Sequence, residues 1–109
     1  MNSLPSSQQE ASLLSDDAIV ARVLAGDGPI FELLMRRHNQ RLYRMARSVL
    51  HNDLEAEDVV QDTYVRAFKN LVRFEGRSNV ATWLTRIAFH EGLRRRRRHY
   101  QALKAQAVV

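Results

Sequence analysis

Four stretches of the chain repeat apolar residues every three or four positions, the spacing that places them on one side of an α-helix. The first stretch follows Ser15, a residue suited to cap a helix, and it stops at Gly26. Pro29 is then expected at the first position of a second, long helix, where its missing N–H would have no partner anyway. The apolar side of this second helix consists of Phe31, Leu34, His38, Leu42, Met45 and Val49.

Two further helices follow from the same spacing. Asn52 is predicted to cap the third helix, and Ser78 or Asn79 is predicted to cap the fourth. Because no strand alternation or hairpin signal appears, the predicted fold class is all-α, a compact bundle of three long helices and a short N-terminal one. The apolar positions of the two later helices are Val60, Tyr64, Ala67, Phe68 and Leu71, and Val80, Trp83, Leu84, Ile87 and Ala88.

The chain divides by composition into three parts. Residues 1–14 are rich in Ser and Gln and lack a sustained periodicity, so a flexible leader is expected. Residues 15–99 carry all four helical patterns, and a chain of 109 residues with 45% apolar content is long enough for one such domain. Residues 100–109 form a tail, predicted as a weak helical continuation or the start of a linker.

Several classes of function are disfavoured by what the sequence lacks. Without cysteine there is no disulfide framework and no thiolate ligand, and no phosphate loop or nucleophile elbow is present. We therefore expect no catalytic residue, no metal and no cofactor. No apolar run approaches the roughly 20 residues of a membrane span, so we expect a cytoplasmic protein without a membrane partner. His38 is interpreted as a packed histidine, because no second metal ligand stands at a suitable spacing.

Charge is distributed unevenly along the chain, whose formal net charge is +5. Acids crowd the third helix and five consecutive arginines, Arg94 to Arg98, crowd the end of the fourth, an asymmetry that favours two different partners. Glu55, Asp58 and Asp62 share one face of the third helix. The helix dipole explains acids in the first turn but says little about Asp62, so a docking face and a dipole effect both stay open.

The segment that begins at Phe74 suits nucleic-acid binding. Its arginines can contact phosphates, Gly76 lets the backbone approach a base closely, and Phe74 offers a stacking surface. The alternatives are core packing for Phe74 and Trp83 and a solvated helix end for the arginine run. Groups with the direction needed for base recognition are Arg77, Ser78, Asn79, Thr82, Arg86 and His90, with Arg94 one turn later.

Three blocks of the sequence, in this order and spacing, resemble region 2 of the extracytoplasmic-function (ECF) sigma factors of bacterial RNA polymerase. The blocks are AGDGPIFELLMRRHNQRLYRMA, AEDVVQDTYVRAFKNLVRFEG and SNVATWLTRIAFHEGLRRRRR, and the likeness covers about residues 16 to 98. It implies a helical domain that docks on the clamp helices of the largest catalytic subunit of core RNA polymerase. It also implies recognition of the −10 promoter element as melted, single-stranded non-template DNA.

The resemblance assigns roles to residues by their position. The residues implied to bind polymerase are Asp58, Gln61, Asp62 and Val65. Those implied to bind DNA, to which the charge pattern adds Arg94, are Phe74, Gly76, Arg77, Ser78, Asn79, Thr82, Trp83, Arg86 and His90. An anti-sigma factor is implied as a second protein partner, since family members are commonly held inactive by one.

The chain departs from the family pattern at His38, where the family commonly has Tyr and a packing variation is expected, and in two further respects. Trp83-Leu84 stands where principal sigma factors have two adjacent aromatics, which implies a lesser capacity to melt DNA. Family members also continue into a second helical domain, region 4, before which this chain ends, so we expect a fragment. Two rival functions remain open. One is a helical adaptor whose specific partner is a protein and whose polyanion binding is nonspecific. The other is a nonspecific RNA-binding bundle.

Overall fold

The chain folds as a helical bundle, which we describe from a computed structural model for residues 11–74, 76 and 78–108. From Asp16 onward it forms the helices α1 (Asp16–Leu24), α2 (Phe31–Leu50), α3 (Asp53–Lys69) and α4 (Val80–Val108). None of the described residues lies in a strand, and the predicted all-α class is confirmed. The first ten residues of the predicted leader lie outside the described residues.

The predicted helix caps are confirmed at three helix starts. Ser15 Oγ accepts the N–H of Ala18 at 3.1 Å, and Asn52 Oδ1 accepts that of Glu55 at 2.9 Å. The fourth helix is capped by Asn79, whose Oδ1 accepts the N–H of Thr82 at 2.7 Å. These bonds depend on residues only three positions apart, which is why the sequence alone could locate them.

The start predicted for the second helix was wrong by two residues. Pro29 lies in a 3₁₀ turn (Gly28–Ile30), and α2 begins after it at Phe31. Its ring fixes φ equally well for either kind of helix, and the missing N–H is tolerated in both, so proline alone does not distinguish them.

The core lies where α2, α3 and α4 pack against one another, with α1 closing one side. His38 is buried on the apolar side of α2, as predicted, and its Nε2 lies 2.7 Å from Asp16 Oδ2 of α1. Arg37 Nη1 donates to the other oxygen of Asp16 at 3.0 Å. The carboxylate of Asp16 therefore ties α1 to α2. The buried apolar residues are Ile19, Val20, Phe31, Leu34, Leu42, Ala46, Val49, Ala56, Val59, Val60, Tyr64, Ala67, Leu71, Val80, Leu84 and Ala88.

The fourth helix extends beyond the bundle. It spans 29 residues, about 43 Å at the usual rise of 1.5 Å per residue, and every residue from Arg96 to Ala107 is exposed. The segment predicted as a helical continuation or a linker is thus helical through Val108.

Candidate nucleic-acid interface

The loop before α4 joins the core through two aromatic rings. The centroids of Phe74 and Trp83 lie 5.2 Å apart with their planes tilted by 47°, and both side chains are partly buried. Gly76 has a φ of +73°, a left-handed conformation that glycine adopts without strain. Trp83 packs against one part of the partly buried Phe74, so a nucleobase could stack only on the part of Phe74 that is exposed. Arg77, another of the predicted DNA-binding residues, lies outside the described residues.

The predicted polar side of α4 lines one shallow groove. Thr82, Arg86 and His90 all border this α2–α4 groove, whose volume is about 420 Å³. Arg41 of α2 forms part of its opposite wall, a contribution that sequence spacing within α4 could not indicate. The described residues that line it are Arg41, Thr82, Thr85, Arg86, Phe89 and His90.

A second groove lies on the other side of His90, between α3 and α4. This α3–α4 groove has a volume of about 360 Å³ and brings the predicted residues Trp83, His90 and Arg94 to one place. Its other polar groups come from the end of α3 and the turn after it, where no DNA contact was predicted. The described residues that line it are Arg66, Asn70, Arg73, Trp83, Ile87, His90 and Arg94.

The five arginines at the end of α4 have different environments. Arg95 is only 16% exposed in its side chain, and it binds Glu91 of α4 together with Asp62 and, at 3.7 Å, Asp58 of α3. Burial disfavours its charged form, but hydrogen bonds from Arg95 to Glu91 and Asp62 outweigh burial and raise its pKa. Arg96, one residue later, is exposed.

The four residues predicted to bind polymerase lie on two sides of one helical stripe. Asp58 and Asp62 face α4 and its Arg95, whereas Gln61 and Val65 line an α2–α3 groove of about 370 Å³. The prediction placed Phe68 on the core stripe, but Phe68 is 48% exposed and borders this groove. Among the described residues, its lining consists of Phe31, Met35, Gln61, Tyr64, Val65, Phe68 and Lys69.

One polar group beneath the α2–α3 groove is fixed by burial. The hydroxyl of Tyr64 donates to the carbonyl oxygen of Met35 at 2.8 Å, which links α3 to α2. Burial raises the pKa of this hydroxyl above its ordinary value, so it stays a hydrogen-bond donor throughout the physiological range.

The described part of the chain contains neither a metal-binding cluster nor a membrane-spanning helix. Within residues 11–74, 76 and 78–108, no group of three or more His, Asp or Glu side chains is arranged to hold a metal ion. No helix among those residues combines the length and apolarity required to cross a membrane.

Comparison with known proteins assigns the chain to a family. Residues 34–101 match the family described as Sigma-70 region 2. The chain is 39% identical over 79 residues to the ECF RNA polymerase sigma-E factor of Haemophilus influenzae, an alignment that covers 72% of this chain and 41% of that protein. It is 36% identical over 84 residues to the ECF RNA polymerase sigma factor SigM of Mycobacterium tuberculosis, covering 77% and 43%.

A third relative extends the same picture. The RNA polymerase sigma-H factor of Pseudomonas aeruginosa is 35% identical over 75 residues, covering 69% of this chain and 39% of that protein. The chain therefore spans about two fifths of the length of these relatives. Since the family match covers more than half of the chain, the chain belongs to the Sigma-70 region 2 family.

Proposed function

We propose that this domain binds core RNA polymerase through α3 and captures the melted non-template strand of the −10 element with the Phe74–Asn79 loop and α4. Membership of the Sigma-70 region 2 family supports promoter recognition and polymerase binding in general. The assignment of each task to its own surface rests on the geometry of the grooves.

The observation that carries the proposal is the separation of an apolar surface from a basic one. The α2–α3 groove, which contains Gln61 and Val65, shares no lining residue with either groove of α4. Its exposed apolar side chains suit a protein helix. Among the described residues, the α2–α4 and α3–α4 grooves are lined by arginines and a histidine and by no acid, as a polyanion requires. A polymerase and a DNA strand could thus bind the domain together.

The acidic pair of α3, Asp58 and Asp62, also contacts Arg95 of α4, which sequence spacing did not indicate. Asp62 would contact polymerase while it also binds Arg95 of α4. A charge reversal there would therefore alter both the docking surface and the packing of α4. Val65 is a cleaner probe of the polymerase surface, because it is exposed in the groove and, unlike Asp62, is uncharged.

The polymerase half of the proposal is tested by binding of the purified chain to core RNA polymerase. Val65→Glu should weaken this binding about tenfold or more, as expected when a charge enters the apolar centre of an interface. Val72→Glu, at an exposed valine outside α3, is the matched control and should bind normally. Equal binding of the two variants would place the polymerase surface elsewhere.

The DNA half is tested by selecting bound sequences from a random pool of single-stranded oligonucleotides. Enrichment of one short motif, with fluorescence anisotropy confirming its tighter binding, would support base capture. Equal binding of all sequences, abolished by moderate salt, would contradict it and leave only polyanion contact. Preference for structured RNA without polymerase binding would favour an RNA-binding bundle instead. The cytoplasmic location and the anti-sigma partner stay predictions.

A further inference from the structure

Glu91 is a carboxylate buried at the junction of α3 and α4. Its side chain is only 4% exposed, and burying such a charge without partners is strongly unfavourable. Four guanidinium groups surround it, one from α3 and three from α4. These are the guanidinium groups of Arg66, Arg94, Arg95 and Arg98.

The two oxygens of Glu91 hold different arginines. Oε2 accepts a hydrogen bond from Arg95 Nε at 3.1 Å. Oε1 lies 3.3 Å from Arg66 Nη2 and 3.3 Å from Arg94 Nη2, but it accepts no hydrogen bond from any described residue. Attraction to the negative charge of Glu91 thus holds Arg66 and Arg94 near each other. Neither arginine donates a well-aligned N–H to Glu91.

Arg66 and Arg94 are also the two arginines that the α3–α4 groove takes from its facing helices. Both side chains are about half exposed, so a ligand in the groove can reach their N–H donors. Asn70, Arg73 and His90 add further donors, and no acid among the described residues lines the groove. The ring of Trp83 and the side chain of Ile87 supply an apolar surface beside these donors, which suits a phosphate that carries a sugar and a base.

We propose that the α3–α4 groove binds a phosphodiester of the promoter strand through Arg66, Arg73 and Arg94, and that Glu91 is the positioning residue that holds Arg66 and Arg94 in place. This inference rests on the proposed DNA-binding function. It extends the DNA surface to the end of α3, where sequence spacing indicated no nucleic-acid contact.

The direction in which Glu91→Gln changes DNA affinity distinguishes a positioning role of Glu91 from a purely electrostatic one. Glu91→Gln keeps the shape of the side chain and adds one positive unit to the net charge. If Glu91 acted only as a charge near DNA, its removal would tighten binding to every oligonucleotide. If it positions the two arginines, the neutral amide releases them and binding weakens in spite of the added positive charge.

The experiment measures anisotropy of a labelled oligo-dT strand with the full chain over a series of salt concentrations. Glu91→Gln and Arg66→Met should each weaken binding about tenfold, the loss expected for one charge-assisted contact. Arg66→Met should also reduce the log–log salt slope by about 0.7, the value for one phosphate contact on a single strand. Tighter or unchanged binding by Glu91→Gln would overturn the positioning role.

Arg96→Met is the matched control, because Arg96 is exposed on the same helix and lines neither DNA-facing groove. It should weaken binding less than Arg66→Met does, and equal losses would overturn the groove. Should Glu91→Gln unfold in a thermal scan, Arg66→Lys takes its place, since it keeps the charge but loses the fork of donors. Arg66→Lys should still bind more weakly than wild type, and wild-type affinity would contradict the inference.

Failure of this inference can be told apart from failure of the proposed function. Sequence preference in the wild-type chain, with Arg66→Met indistinguishable from Arg96→Met, would overturn the groove and leave −10 capture intact. Equal binding of every sequence, with Arg66→Met weaker than Arg96→Met, would overturn −10 capture and leave a phosphate site in the groove.

Discussion

The two halves of α4 differ in burial and in charge. The half from Val80 to Glu91 places Val80, Leu84 and Ala88 in the core and ends on a buried carboxylate. The half that follows is exposed from Arg96 to Ala107. One continuous helix therefore anchors the bundle with its first half and carries much of the positive charge on its second.

The boundary between the halves shows that arginines adjacent in sequence have different tasks. Arg95 is largely enclosed by Glu91, Asp62 and Asp58, whereas Arg96 faces solvent. Composition alone would count both as equal contributors to polyanion binding. In the structure, Arg95 joins α3 to α4, whereas Arg96 is exposed to solvent.

The sharpest test of this difference compares a leucine from each half. Leu84→Ala, at a fully buried position, should cost about 2–5 kcal/mol of unfolding free energy. Leu103→Ala, at an exposed position of the second half, should change it by less than about 0.5 kcal/mol. Urea unfolding monitored by circular dichroism measures both. Comparable losses would mean that the second half also packs against the folded domain.

A smaller effect is expected from the two neighbouring arginines. Arg95→Met removes the cation shared by Glu91 and Asp62 and should cost about 1–3 kcal/mol, because Glu91 stays buried with weaker compensation. Arg96→Met should leave the free energy of unfolding unchanged within about 0.5 kcal/mol. If the two variants unfold at the same urea concentration, the distinction between Arg95 and Arg96 is wrong.

Gly92 lies at the point where the halves meet, and its replacement should stabilise α4. A Cβ there would approach Val49 Cγ1 at 3.4 Å, an ordinary contact distance. Gly92→Ala should therefore raise the unfolding free energy by up to about 1 kcal/mol, since glycine weakens a helix interior. A lowered melting temperature would show that α2 and α4 cannot accommodate the added methyl group.

The smallest expected change in stability concerns Asp53, which lies outside α4, and this change depends on pH. Asp53 Oδ1 accepts hydrogen bonds from Arg47 Nε at 2.6 Å and Tyr43 Oη at 3.0 Å, and these bonds lower the pKa of Asp53 below its ordinary value of 3.8. Its contribution to stability is therefore present above that value and is lost as pH falls through the lowered folded-state pKa.

Asp53→Asn should accordingly lower the melting temperature slightly at neutral pH and have no effect once wild-type Asp53 is protonated in acid. Melting curves of the two proteins at neutral and acidic pH measure this. Because Asp53 pairs with Arg47 and, among the described residues, not with Arg96, the same pH dependence should persist in the Arg96→Met background. A difference between the two proteins that grows in acid would contradict the assigned pKa direction.

Features set by neighbouring residues were predictable, and features set by helix rotation were not. The caps at Ser15, Asn52 and Asn79 involve a side chain and an N–H three residues apart, so the sequence contains them completely. The contact between Arg95 and Asp62 joins residues 33 positions apart, and it depends on how α4 lies across α3. No periodicity within one helix specifies that arrangement.

The same limit explains the incomplete prediction of the surfaces. Thr82, Arg86 and His90 share one groove, as their spacing indicated, but Arg41 and Arg66 belong to walls contributed by other helices. Phe68 fits the apolar period of α3 and nevertheless borders an open groove, because the apolar stripe there is wider than the surface its neighbours cover.

The short connection between α2 and α3 has a consequence for the order of folding. Only His51 and Asn52 separate these helices, so their contacts close small loops and should form early in the folding reaction. The bond from Arg95 to Asp62 spans a much longer loop and should form late. Loss of Arg95 should then speed unfolding and leave the folding rate nearly unchanged, which stopped-flow kinetics in urea would show as a shift of the unfolding limb alone.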